Sequence, residues 1–186
     1  CPDQTGLVVS GITSDGASTS WDDMSESGAI GYEYAVTTSA TPPASGDSTE
    51  DTFYSASGLA SNTVHYLHVR TDCGGGSFGN WVTTSFTTLC SSVTSFTEGF
   101  ESTTGTNFPS CWFKVGATGT ANTQASTGFG STRSLYMYSS TSTSRAVVSL
   151  PPVNNADADT HRMVMKVRAN FTVGETIELG YLTNPA

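Results

Sequence analysis

Positively charged residues are scarce in this chain and almost missing from its first half. The 186 residues contain 7 Lys and Arg against 16 Asp and Glu, a formal net charge of -9. Arg70 is the single Lys or Arg before Cys90, where ten acidic residues lie. Phosphate backbones and anionic membranes attract proteins through clustered cations. The composition therefore excludes nucleic acid and anionic membrane surfaces as partners.

Long apolar runs are also absent. No stretch of about 18 apolar residues occurs, so no membrane insertion is predicted. The start, Cys1-Pro2-Asp3, has neither the basic residues nor the apolar segment of a signal peptide, and we expect a mature or excised chain. Ser, Thr and Gly dominate the polar positions, a composition common outside cells. The sequence favours a secreted or cell-surface location.

The four cysteines lack the spacing of a metal site. They are Cys1, Cys73, Cys90 and Cys111. Zinc sites commonly use closely spaced C-x-x-C pairs, whereas these cysteines are even in number, far apart and next to turn-rich segments. Disulfides in an oxidising compartment are therefore favoured over zinc.

The charge distribution predicts two domains. Up to Cys90 the net charge is -9, while from Ser91 onward six acidic residues balance six basic ones. Such a change within 186 residues is typical of two separate units. We place them at residues 1–90 and 91–186.

Short alternating segments separated by turn residues fill the first half. Residues 64–71 alternate with the period of two that gives a strand two different faces, and three glycines then interrupt the pattern. Similar segments are Leu7–Val9, Ala17–Trp21, Ile30–Val36, Phe53–Ser55 and Trp81–Cys90. Residues 40–51 read as a loop or an edge crossing. Six or seven short strands without helical periodicity predict an all-β fold, a β-sandwich.

The order and spacing of these core positions resemble a fibronectin type III domain. Trp21, GYEYAV at residues 31–36 and SGLASNTVHYLHVRT at residues 57–71 show the similarity. It implies a two-sheet scaffold, which constrains function weakly. Where the family has its corner tyrosine this chain has His65, followed by Tyr66. Either His65 makes the hydrogen bond of the corner or the corner is looser.

The ending RTDCGGGSFGNW and the opening Cys1-Pro2 resemble a bacterial variety of this domain. It occurs as repeats in large secreted and surface proteins of gliding, type IX-secreting bacteria. In such a sandwich the start of the first strand and the loop after the sixth lie at the same end, which predicts a Cys1–Cys73 disulfide. Cys90 emerges at the opposite end and is left to pair with Cys111.

The second half resembles the jelly-roll domains related to MAM modules. FTEGFES, FPSCW, SLYMY, VSLPPV and IELGYLTNP show this similarity, in that order. Strands are expected at Leu135–Tyr138, Ala146–Leu150, Met163–Phe171 and Ile177–Leu182. A jelly roll normally has about eight strands. We therefore expect the natural chain to continue past Ala186, or another chain to complete the sheets.

The residue pattern indicates no catalytic site. His65 and His68 point to opposite sides of one strand and His161 begins another, so no nucleophile, base and carboxylate form a triad. Glu98 and Glu101 face opposite sides of an extended segment, which does not suit paired-carboxylate glycoside hydrolysis. A non-enzymatic protein is predicted.

No cofactor is predicted from the sequence, and a structural calcium ion is the one candidate. Carboxylate oxygens are preferred calcium ligands. The second half has few acids, and the candidates are Glu98, Glu101, Asp157 and Asp159. The alternative is that they are solvated surface carboxylates.

Two further features are candidate contact or modification sites. Phe78 and Trp81 flank the Gly-rich loop, where aromatic rings can stack on a sugar or anchor a partner. The alternative is that Trp81 covers the sandwich edge. Ser48, within Asp-Ser-Thr in a Pro- and Gly-containing loop, resembles the O-glycosylation pattern of some of these bacteria.

These features predict a non-enzymatic extracellular module of a large bacterial surface adhesin or secreted protein. It would act as a spacer and in adhesion or ligand presentation. Its partners would be other domains of the same chain, together with surface glycans or another surface protein. The alternative is an accessory region of a secreted glycosidase or protease, in which the second unit binds carbohydrate.

Overall fold

The computed structural model describes residues 1–116, 118–128, 130, 132–141, 143–154, 162–168 and 176–180. Strands make up nearly all of the regular structure, so the fold class is all-β as predicted. The chain divides into two compact units, Cys1–Ser91 and Ser92–Ala186. Over the ranges just given, no helix has the length and hydropathy of a membrane-spanning segment.

The first unit is a β-sandwich of seven strands. They are β1 (Val8–Ser10), β2 (Ala17–Ser20), β3 (Gly31–Thr37), β4 (Asp47–Thr49), β5 (Phe53–Ala56), β6 (Val64–Asp72) and β7 (Val82–Thr87). One sheet has the order β1-β2-β5 and the other the order β4-β3-β6-β7, with every pair antiparallel. A single turn of 3-10 helix, Ser25–Ser27, lies between β2 and β3.

The core lies between the two sheets. Its buried hydrophobic cluster consists of Trp21, Tyr32, Leu67 and Val69. Leu67 and Val69 come from one face of β6 and are completely buried, because alternate residues of a strand share a face. Val9 and Tyr54, from strands of the other sheet, pack against this cluster. The alternation read from the sequence of β6 is therefore confirmed.

The opposite face of β6 is covered as well. His68 is completely buried although it points away from Leu67 and Val69, and Glu33 on the neighbouring β3 is 5% exposed. The loop that connects β3 to β4 supplies the cover, since its backbone bonds to both His68 and Glu33. The four-stranded sheet thus has a hydrophobic inner layer and a polar outer layer.

The second unit contains two strand pairs in its described part. Its strands are β8 (Phe113–Val115), β9 (Thr120–Ala125), β10 (Arg133–Tyr138) and β11 (Val147–Ser149). β9 pairs with β10, and β8 pairs with β11. The predicted strands at SLYMY and VSL are confirmed. β8 and β9 lie in a Gly-, Ser- and Thr-rich stretch where no strand was predicted.

The last two strands predicted for the second unit are wrong where the structure describes them. Residues 162–168 and 176–180 overlap Met163–Phe171 and Ile177–Leu182, yet they are exposed and form no strand. A strand is stabilised by hydrogen bonding to a neighbour, which an alternating sequence does not itself supply. The rest of both segments lies outside the described residues, as does His161. The jelly roll stays a prediction.

Candidate functional site

The structure brings Phe78 and Trp81 together around Arg70. The Cζ atom of Arg70 lies 4.2 Å from the Phe78 ring centroid and 4.5 Å from that of Trp81. A guanidinium is attracted to aromatic faces by the ring quadrupole, and Arg also stacks on them through its plane. Both rings therefore pack on a side chain of the same protein, the Arg70 guanidinium. Binding of a sugar or partner by Phe78 and Trp81 stays a prediction.

Glu33 completes this arrangement, which we call the Arg70 cluster: Glu33, Arg70, Phe78 and Trp81. Glu33 lies directly opposite Arg70 in the strand register. Its Oε2 accepts from the Arg70 guanidinium, and its Oε1 accepts from the Gly46 backbone N–H at 2.7 Å. The side chains of this ion pair are 17% and 7% exposed. The single cation of the first unit is thus neutralised inside the fold.

His68 lies beside this cluster and is held neutral by its surroundings. Its Nε2 is 3.1 Å from the carbonyl oxygen of Ser39, which can only accept, so Nε2 carries the proton. Its Nδ1 then accepts from the Thr83 hydroxyl at 2.8 Å. The Trp81 ring packs edge-on against the imidazole. Burial lowers the pKa of His68, opposed by the hydrogen bond to Ser39. Every nitrogen of this ring is used structurally.

His65 occupies the other face of β6, at the position of the corner tyrosine. Its Nε2 is 3.1 Å from the carbonyl oxygen of Ala60, and its ring stacks on Phe86 at a centroid distance of 5.6 Å. A corner tyrosine bonds in the same way to a backbone group a few residues upstream. Thr88 donates to the same carbonyl at 2.6 Å. Of the two possibilities read from the sequence, the structure shows the one in which His65 makes the hydrogen bond.

All four cysteines are oxidised. Cys1 and Cys73 form a disulfide with Cα atoms 5.7 Å apart and a sequence separation of 72, as predicted. Cys90 and Cys111 are also disulfide-bonded. The pairing of Cys90 with Cys111 stays a prediction.

Ser48 lies on the edge strand β4 with an exposed side chain. It lines a shallow depression of about 390 Å³ together with Ile30 and two carboxylates, Glu50 and Asp72. The exposed hydroxyl is accessible to a modifying enzyme. O-glycosylation of Ser48 stays a prediction.

The predicted calcium ligands are not assembled within the described residues. Glu98 Oε1 accepts from the backbone N–H of Phe100, and Glu101 accepts from Thr132 and from the backbone of Arg133. Asp157 and Asp159 lie outside the described part of the chain. In what is described, no three His, Cys, Asp or Glu side chains lie close enough together to hold a metal ion. The calcium site stays a prediction.

Arg133 is the cation that the structure places in this region. Its guanidinium donates to the carbonyl oxygen of Gly105 and to the hydroxyls of Thr103 and Thr123, at 2.9 and 3.0 Å for the two hydroxyls. Thr123 is completely buried and in turn donates to the carbonyl oxygen of Asn107. Oxygen acceptors of this kind suit a cation. Here the cation that they bind is the guanidinium of Arg133.

The central role of Arg70 was missed at the sequence level. The available signal was that Arg70 is the single Lys or Arg in a unit with ten acidic residues. Such a residue is a candidate for a structural role inside the fold. Its aromatic partners come from a loop eight to eleven residues further on, and alternation patterns do not report such contacts. Phe78 and Trp81 were identified, but what they contact was not.

Several solved structures are similar to this chain. No family model and no curated protein matches it. A crystal structure of FN3tt is 24% identical, with a TM-score of 0.39, and the match covers 47% of this chain and 92% of that one. The fn3 domain of human collagen alpha-1(XX) chain is 16% identical, with coverages of 51% and 91% and a TM-score of 0.41. A two-domain fibronectin type III segment from chicken tenascin is 12% identical, with coverages of 82% and 85% and a TM-score of 0.37.

Proposed function

We propose that this chain is a non-enzymatic extracellular module of a large bacterial surface adhesin or secreted protein. Its first unit acts as a spacer that holds and presents other domains of the same chain. The observation behind this proposal is that the chain enters and leaves the sandwich at opposite ends.

The entry end is packed against the end of β6. Thr71 donates from its hydroxyl to the carbonyl oxygen of Pro2, and Asn80 bonds to the carboxylate of Asp3 at 2.9 to 3.3 Å. A side chain at Gly79 would collide with the carbonyl of Pro2, so only glycine permits this close approach. The entry segment is therefore packed against the sandwich and hydrogen-bonded to it.

The exit end is packed against the start of β6. Thr88 exchanges hydrogen bonds with Thr63, and the Leu89 N–H donates to the carbonyl oxygen of Thr13 at 2.9 Å. β6 has nine residues, which at about 3.3 Å per residue separate the two ends by roughly 26 Å. Entry and exit at opposite ends suit a spacer, because the chain leaves the unit far from where it enters.

The Cys1–Cys73 disulfide gives this spacer resistance to tension. Its loop encloses β1 to β6, so a pull between the two ends passes through the bridge into β7 and cannot extend the enclosed strands. With the bridge intact only about 18 residues can be drawn out, or about 60 Å; without it about 90 residues, or about 300 Å.

Single-molecule pulling on the chain, with handles attached before Cys1 and after Cys90, tests this proposal. Because the two ends are already roughly 26 Å apart in the folded unit, we expect an extension of about 35 Å per unfolding event in oxidising buffer and about 275 Å after reduction. The proposal would be contradicted if the oxidised chain extended by about 275 Å, or if it opened without measurable force. Immunolabelling of intact source cells and medium tests the location, and an exclusively cytoplasmic signal would contradict it.

The accessory region of a secreted hydrolase is the second candidate. What favours it is a stacked pair of tyrosines in the second unit, Tyr138 exposed and Tyr136 half-buried, because tyrosine is well suited to contact sugars. A glycosidase or protease domain elsewhere in the full-length sequence would favour it, whereas further repeats with a C-terminal sorting domain would favour the adhesin.

A further inference from the structure

One face of the β9–β10 pair combines aromatic rings with amides and hydroxyls. Alternation places three side chains of each strand on this face, because residues that pair across the strands point the same way. They are Thr120, Asn122 and Gln124 from β9, and Ser134, Tyr136 and Tyr138 from β10. We call this set the tyrosine face. The other face contains Thr123 and Arg133 and is used by the internal network described above.

The two tyrosines form a nearly parallel pair. Their ring centroids are 6.4 Å apart, and the planes differ by 17°. Tyr138 is 51% exposed and Tyr136 is half-buried. β10 has β9 as its one neighbouring strand in the part of the chain that is described, so the edge next to the rings is open there. Two aromatic side chains are therefore presented side by side along one strand.

The polar groups around the rings are uncharged. Asn122 lies directly opposite Tyr136, and Thr120 directly opposite Tyr138. Within the described residues, the buried side-chain oxygen of Asn122 has no hydrogen-bond partner. An unused buried acceptor costs free energy unless a donor reaches it. That oxygen is inaccessible from outside, whereas the exposed hydroxyl of Thr120 can reach a ligand beside Tyr138.

We propose that the tyrosine face binds a neutral oligosaccharide. The C–H face of a pyranose packs on an aromatic ring, and its hydroxyls bond to amides and hydroxyls at the rim. Tyrosine offers a large rigid contact area with little loss of conformational entropy on binding. All six side chains are uncharged, which complements a neutral ligand. A sulfated oligosaccharide or one that contains uronic acid would find no ion pair among them. The site extends beyond a spacer role and does not depend on it.

Phe78 and Trp81 are a poorer choice for the same ligand. Both of these rings stack on Arg70, so that guanidinium already occupies a face of each. The ring faces of Tyr136 and Tyr138 have no such cation in the described part of the chain. The geometry thus favours the second unit over the Gly-rich loop.

Isothermal titration calorimetry of the 186-residue chain tests this proposal. The probes are cellohexaose, xylohexaose, mannohexaose and laminarihexaose, with a heparin hexasaccharide as the charged comparison. We expect one or more neutral hexasaccharides to bind and the heparin fragment not to bind. Tyr138→Ala should weaken the binding at least tenfold, and Tyr138→Phe less than threefold. Met137→Ala, on the same strand but the opposite face, should change it less than twofold.

Ring-proton NMR gives a readout that needs no variant. The bound hexasaccharide should shift the resonances of Tyr136 and Tyr138 in the wild-type chain and leave those of Phe78 unchanged. The proposal is overturned if none of the four neutral probes binds, if the heparin fragment is preferred, or if the shifts occur at Phe78 and Trp81. A dimer in sedimentation experiments that Tyr138→Ala disperses would also overturn it, because the face would then be a protein interface.

Discussion

The Nε2 atom of His65 lies 3.1 Å from the carbonyl oxygen of Ala60, five residues earlier in the chain. Because a carbonyl oxygen only accepts, the ring carries its proton on Nε2. The loop that precedes β6 is thereby tied to the strand that it enters, on the core side of the sheet. A histidine thus makes the hydrogen bond for which this type of sandwich usually employs a tyrosine.

We expect His65→Ala to destabilise the first unit by about 2 kcal/mol, because it removes both the hydrogen bond and the packing on Phe86. His65→Tyr should keep most of the stability. Urea unfolding measures both, with the exposed Ser85→Ala as a control that should change the free energy of unfolding by less than about 0.5 kcal/mol. A neutral effect of His65→Ala would show that the corner is not needed.

His68 predicts a pH dependence of stability. Burial lowers its folded pKa below the ordinary value of 6.5, so the unfolded chain binds the proton more readily between those two pKa values. The stability that neutral His68 contributes is therefore complete above about pH 6.5 and is lost as the pH falls toward the lowered pKa.

Urea unfolding from pH 7.5 to 5 checks this dependence. The free energy of unfolding should decrease toward pH 5 in the wild-type chain, and the decrease should be smaller in His68→Gln, in which this group no longer titrates. Identical pH profiles for the two proteins would contradict the internal placement of His68.

Arg70 is expected to be the most sensitive position in the outer layer. Arg70→Ala should cost about 3–5 kcal/mol, because it leaves the buried carboxylate of Glu33 without its partner. The double change Glu33→Gln with Arg70→Met should recover most of that loss. Arg70→Lys should be intermediate, since an ammonium has neither the fork nor the plane of a guanidinium. Urea unfolding measures the set, and an Arg70→Ala variant as stable as the double variant would refute the buried pair.

The strand pattern could be predicted from the sequence wherever one face of a strand meets the core. Residues 64–71 illustrate this, because their alternation corresponds to burial of Leu67 and Val69. β9 could not be predicted from its segment TANTQA. Its buried residues are Ala121 and Thr123, which are small, so the segment lacks the alternation of large apolar residues that marks a strand. What secures Thr123 is a hydrogen-bond network with Arg133 rather than apolar burial.

The outer layer of the four-stranded sheet could not be predicted from the sequence for a related reason. Alternation places His68 and Arg70 on the face of β6 opposite the core residues, but it does not tell what covers that face. A loop that returns over the sheet buries them, and its Pro and Gly residues indicate only a turn. Contacts between a strand and a distant loop depend on the path of that loop, which local patterns do not encode.

Loss of the Cys1–Cys73 disulfide should cost the first unit about 4 kcal/mol, from the closure entropy of a loop of this length. The double variant Cys1→Ser with Cys73→Ser gives this value in urea unfolding. The comparison with reduced wild type controls for the substitutions themselves. A loss below about 1 kcal/mol would mean that the unfolded chain gains little freedom when the loop opens.

Peptide mapping without reduction settles the second pairing. We expect one linked peptide pair containing Cys1 and Cys73, and another containing Cys90 and Cys111. A Cys73–Cys90 link would contradict both the predicted pairing and the structure.

The central claim is that Cys1–Ser91 is a complete module, with its core, its outer layer and its disulfide all inside that range. Expression of residues 1–91 alone, followed by thermal unfolding in oxidising buffer, tests this most directly. We predict one cooperative transition and a dispersed NMR spectrum, with the His65 and His68 ring protons protected from exchange. A fragment that is unfolded, or that folds only when residues 92–186 are attached, would contradict the claim.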